Sequence, residues 1–152
     1  MKRSNLLLVL IILLVGLTAC RSAGQSPQRV LERNQNSWHD VEPAHYQFIL
    51  QVGCFCVPDV TRPVQIEVQG GAVVRKSYMD NGEVVGNEFF EPYDTIEELF
   101  GVIQAAIDQE ADVIDIAYHP DYGYPEQISL DSIKEALDDE VVYRVSAFEI
   151  LP

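Results

Sequence analysis

The sequence predicts an α+β fold: an antiparallel sheet of about six strands with two main helices on one face, in the order α-β-β-β-α-β-β-β. Three observations carry this. Several short segments alternate apolar and polar residues with a period of two, as half-buried strands do. Two-residue turn signals, Gly70-Gly71 and Asn81-Gly82, separate some of them, which makes neighbouring strands hairpins and the sheet antiparallel. Two further segments carry helix-start signals followed by apolar residues at helical spacing, and such helices bury their stripe on one sheet face.

Each element follows from its residues. Ser26-Pro27 offers an N-cap hydroxyl and a proline at the first helical position. Val30, Leu31, Trp38 and Val41 form a partial stripe, residues 34–37 are weak helix formers, and Pro43 stops the helix. Tyr46, Phe48, Leu50 and Val52 then share one face of a strand, and Val64, Ile66 and Val68 one face of the next. Gly70-Gly71 turns the chain into a third strand over 72–79, and Asp80-Asn81-Gly82 turns it again into a short strand at 83–85. Thr95-Ile96-Glu97-Glu98 is a capping box, and Ile96, Leu99, Phe100, Ile103, Ala106 and Ile107 continue as a helix near 96–109. Ile114, Ile116 and Tyr118 mark a strand, with Asp115 and Ala117 on its other face. Ile128 and Leu130 mark a second strand, residues 132–137 a helical turn, and 141–151 a long last strand with a bulge near Ala147, where the apolar phase changes. This order suggests a topological duplication, with no residue-by-residue repeat to accompany it.

The first nineteen residues read as a processing segment. Lys2 and Arg3 precede an unbroken apolar run from Leu6 to Val15, too short for the roughly 20 residues of a membrane-spanning helix and suited to a signal peptide. Leu17-Thr18-Ala19-Cys20 resembles a bacterial lipobox, which implies acylation of the Cys20 sulfur and cleavage before it; an ordinary secretory signal or an uncleaved anchor are the other readings. The expected organisation is a lipoprotein signal peptide over 1–19, the lipidated cysteine and a short tether over 20–26, and one domain over 27–152. The tether reaches about 20 Å at most. The protein is then expected on the extracytoplasmic face of a bacterial cell membrane or outer membrane.

Charge excludes some functions. The 152 residues hold 10 Lys and Arg against 24 Asp and Glu, a net charge of −14. A nucleic-acid binder needs a basic face, so none is expected as partner. The same charge argues against electrostatic adhesion to anionic lipid. The expected partners are the membrane, through Cys20, and an unidentified envelope protein or small ligand.

Cys54 and Cys56 are the most chemical feature. Two residues apart on a flat strand, their Cα atoms would lie about 6.7 Å apart, the upper limit for a disulfide, so a bond needs a kink, which Pro58 can provide. Three readings compete: a local disulfide, two free buried thiols, and a redox or metal site. A metal site needs about four ligands, and His39, His45 and His119 show no ligand spacing with the pair. Asp138-Asp139-Glu140 lacks the spacing of a calcium loop. No nucleophile elbow, zinc-protease motif or P-loop is present, so no catalytic residue, metal ligand or cofactor is assigned. Tyr118, His119, Tyr122, Gly123 and Tyr124 crowd one loop. They suit a recognition surface, or a loop that packs its own aromatics while Gly123 supplies a positive φ.

Trp38, Tyr46, Cys54-Phe55-Cys56, Gly70-Gly71, Leu99-Phe100, Tyr118, Gly123-Tyr124-Pro125 and Asp138-Asp139-Glu140, in that order, resemble a group of bacterial lipoproteins known only as domain of unknown function 6174. The resemblance covers nearly all of the chain after Cys20 and implies no activity, cofactor or partner. The functional expectation is therefore a lipid-anchored envelope module that binds or scaffolds without catalysis. The alternative is an extracytoplasmic thiol–disulfide or metal-handling protein using Cys54 and Cys56.

Overall fold

The computed structural model describes residues 25–86, 90–133 and 138–152. Cys20, the expected signal segment and most of the expected turn at 132–137 lie outside them.

The first helix, α1 (Pro27–Val41), begins at the expected proline, although the Ser26 side chain makes no capping bond. It runs through the weak formers because they are satisfied within it: Asn34 Nδ2 donates to the Val30 carbonyl and Ser37 Oγ to that of Arg33. Leu31 and Trp38 bury their side chains completely, whereas Val41, expected in the stripe, is exposed past the last packed turn. Strand β1 (His45–Gly53) follows. A short helix α2 (Pro58–Thr61), absent from the sequence reading, fills the connection to β2 (Val64–Gln69). Gly70 and Gly71, with φ of 59° and 77°, make the tight turn into β3 (Ala72–Tyr78). The short strand expected at 83–85 is reduced to a single bridge between Ser77 and Val84.

Helix α3 (Ile96–Asp108) carries the capping box as read: Thr95 Oγ1 accepts from Glu98 N at 3.1 Å, and Glu98 Oε2 accepts from Thr95 N at 3.0 Å. Strands β4 (Val113–Tyr118), β5 (Pro125–Asp131) and β6 (Val141–Ile150) complete one open antiparallel sheet, ordered β3-β2-β1-β6-β5-β4. The last strand inserts beside the first and joins two meanders. In the first half the leading strand β1 is central; in the second the leading strand β4 is an edge. The halves are therefore not equivalent copies, and the topological duplication ends at element order.

Of three register shifts among the described residues, one of them between Ala117 and Tyr118 of β4, two set which side chains of β6 and β3 face which way. Ala147, at φ 50°, lies where the β1–β6 register shifts, at the expected position. A second, in β3, leaves Val74 without a partner between Val73 and Arg75. Past it the phase flips, so Lys76 and Tyr78 point into the core opposite Ile66 and Val64. The core lies between the inner sheet face and the helices: Phe48, Leu50, Ile66, Val64, Ile128, Leu99, Ile103, Leu31 and Trp38 are sealed from water. Among the described residues no helix is long and apolar enough to cross a membrane.

Candidate functional site

The tyrosine loop packs inward. Gly123, at φ 77°, lies so close to α1 that a Cβ there would sit 2.4 Å from the Asn34 carbonyl oxygen. His119 packs against both Tyr122 and Tyr124, 4.9 Å from each, while the two tyrosines are 6.4 Å apart; its Nδ1 accepts from the backbone N–H groups of Asp121 and Tyr122. Tyr124 continues onto Phe148 at 4.6 Å and edge-on to Trp38, and is only 5% exposed. Burial, then the charge of Glu126, pushes its phenol up to about 12. Tyr118 stacks on Phe100 at 6.5 Å. The five residues are brought together, with Tyr124 in the core and Tyr118, His119 and Tyr122 half-buried.

The aromatic cluster ends on a carboxylate. Trp38 Nε1 donates to Glu97 Oε1 at 2.8 Å, and the Tyr46 hydroxyl to Glu97 Oε2 at 3.2 Å. Burial and the Glu97 charge hold the Tyr46 phenol far above its ordinary value. Glu97 thus satisfies two buried polar groups from the first turn of α3, where the helix dipole also favours it. His45 Nε2 lies 2.9 Å from Glu67 Oε1 and Nδ1 3.2 Å from the Pro152 carbonyl oxygen, which ties the start of β1 to β2 and to the residues after β6.

A buried ion pair lies under the β3 edge. The Lys76 ammonium meets Asp94, the two residues being 4% and 5% exposed. Asp94 N donates to Glu98 Oε2, and burial together with the neighbouring Asp94 carboxylate raises the Glu98 carboxyl above its usual range. The pair is not legible in the sequence, because only the bulge at Val74 turns Lys76 inward.

The third arrangement faces solvent. On the outer sheet face, register aligns Gln51 of β1, Arg144 of β6 and Gln127 of β5 in one row. Beside it Gln65 donates to Gln47, and Gln47 to Glu149, both at 2.8 Å. The row borders an open cleft of about 500 Å³ at the end of β1, lined by Arg144, Phe55, Asp138 and Glu140 among others. The Cys54 and Cys56 sulfurs lie at bonding distance, with Cα atoms 5.2 Å apart. The chain kinks directly after Gly53, which brings the Cα atoms nearer than a flat strand allows. Phe55, between the two cysteines, is 83% exposed. Arg144 was missed in the sequence; its signal was an arginine in the outward phase of the last strand, in a chain poor in cations. The closed loop is so short that Cys54→Ser with Cys56→Ser is expected to cost at most about 2 kcal/mol in urea unfolding. A chain that no longer folds would contradict a purely local clamp.

The architecture is that of an α+β domain with one sheet face covered by helices and the other open. The model of a family of unknown function, DUF6174, matches residues 30–150, and the chain belongs to that family. No curated protein and no solved structure matches it.

Proposed function

We propose that the protein is a lipid-anchored, non-catalytic binding module of the bacterial envelope, held to the membrane through Cys20 and taking its ligand or partner on the open sheet face. The observation that carries the binding reading is Arg144. It is exposed on an uncovered face between two glutamines, and no ion pair engages it among the described residues, in a chain with 24 carboxylate side chains. A guanidinium left open between amide side chains suits recognition of a polar or anionic group. The lipobox-like Leu17-Thr18-Ala19-Cys20 supports the anchor.

Two measurements test this. Labelled fatty acid should enter the wild type, and Cys20→Ser should lose both the label and its partitioning into detergent; a Cys20→Ser chain that keeps both overturns the anchor. A photo-crosslinking residue at Gln127 should capture an envelope component in intact cells, whereas one at Asn36, on the exposed side of α1, should not. Equal capture at both positions would remove the sheet face from the proposal.

The alternative reading, thiol–disulfide or metal handling by Cys54 and Cys56, has one observation in its favour, the exposure of Cys56. It requires that the pair cycle in the envelope. Free-thiol counting on freshly isolated protein, before and after reductant, together with metal analysis, separates it from a permanent clamp.

A further inference from the structure

We propose that the cleft beside Cys54–Cys56 binds a small zwitterion with an apolar side chain, a free amino acid or short peptide. Its carboxylate would meet Arg144, its ammonium Asp138 and Glu140, and its side chain Phe55. This names the ligand class of the binding module above and rests on that reading.

The cleft holds charges of both signs that do not neutralise each other. Arg144, Asp138 and Glu140 line the same opening, yet no ion pair joins the guanidinium to either carboxylate among the described residues. A ligand spanning the gap would gain charge-assisted hydrogen bonds at both ends without first breaking an internal pair. The cleft's volume of about 500 Å³ lies within the roughly 300–1,000 Å³ of small-molecule sites.

Gly53 shapes the cationic side. Nη1 of Arg144 lies 3.7 Å from where a Gly53 Cβ would stand, so the guanidinium rests over the glycine. The cysteine pair shapes the apolar side: it confines the turn that projects Phe55, and an aromatic ring presented in advance loses little freedom when a ligand covers it.

The two signs together select the class. A simple anion meets the repulsion of Asp138 and Glu140 and of a chain at −14. A simple cation finds carboxylates over much of the surface and gains nothing from Arg144. Only a ligand with both charges uses every group in the cleft.

The test is a titration of the full ¹⁵N-labelled chain in mild detergent micelles with the dipeptide alanylphenylalanine, read from amide chemical shifts. The amides of Gly53, Phe55, Val142 and Arg144 should shift saturably at millimolar dipeptide. The N-acetylated and the C-amidated dipeptides should each bind at least about tenfold more weakly. Arg144→Gln should weaken the free dipeptide similarly and remove the penalty of amidation, and Glu140→Gln should reduce the penalty of acetylation. Both residues are exposed, so the variants should keep the wild-type spectrum elsewhere. Absence of saturable shifts, or equal binding of free and capped dipeptides, overturns the proposal. In that event a crosslink at Gln127 would leave the binding module standing with a different ligand, whereas loss of that crosslink as well would remove both.

Discussion

Gly123→Ala is expected to destabilise the domain by about 3 kcal/mol, more than a surface loop ordinarily would allow. Two costs combine. The backbone sits at φ 77°, where an L side chain is strained by about 1–2 kcal/mol. The new methyl would also stand 2.4 Å from the Asn34 carbonyl oxygen and 2.8 Å from the Ser37 Cβ, both on α1. A helix backbone cannot give way as a flexible side chain would, so the loop must lift. Tyr124 would then leave its place against Phe148 and Trp38. Gly82→Ala is the control: its φ is 73°, but nothing lies within 4 Å of the added methyl. Urea unfolding of both variants separates strain from clash. If Gly123→Ala costs no more than Gly82→Ala, the loop does not close on α1 as described.

That result bears on how the loop reads in the sequence. Tyr118, His119, Tyr122, Gly123 and Tyr124 were singled out because aromatics in a Gly- and Pro-rich loop suit recognition or self-packing alike. Sequence alone cannot separate the two, because the deciding contact is with Asn34 and Ser37, more than eighty positions earlier. The legible features were local. Alternation gave the faces of β1, β2 and β4, since the side-chain period of a strand is a property of its own residues. The capping box gave the start of α3, and the break in apolar phase gave the bulge at Ala147. What escaped was set by pairing between distant segments. The place of β6 between β1 and β5 follows from which edges remained free once the hairpins formed. The inward turn of Lys76 follows from one unpaired residue, Val74, whose effect shows only against the register of β2. The cleft escaped for the same reason: Phe55, Arg144 and the Asp138–Glu140 turn share an end of the sheet only after β1 and β6 pair. Cys54 and Cys56 were visible as a pair, but nothing near them in the sequence pointed to Arg144.

Lys76 supplies the second large effect. Lys76→Met should lower stability by about 3–5 kcal/mol at neutral pH, because it leaves Asp94 buried without a counter-charge. The loss should depend on pH in a definite sense. With the ammonium gone, Asp94 stands against Glu98, whose carboxyl is already raised by burial and by Asp94. Without that cation the Glu98 carboxyl, already above its unfolded value, is raised further, so the folded variant keeps its proton to higher pH than the unfolded chain. The deficit is therefore smallest below about pH 4 and grows as pH rises through the raised value. The wild type, with its cation in place, should show a smaller rise of that kind. Asp94→Leu on the Lys76→Met background should return much of the lost stability, since an apolar pair of similar bulk replaces buried charge at little net cost. The Asp94 backbone N–H would still donate to Glu98. Unfolding curves of the single and double variants at pH 4 and pH 7 give all the terms. A Lys76→Met chain that loses less than about 1 kcal/mol and shows no pH trend would mean that water reaches Asp94, and that β3 is not pinned to the start of α3 by this pair.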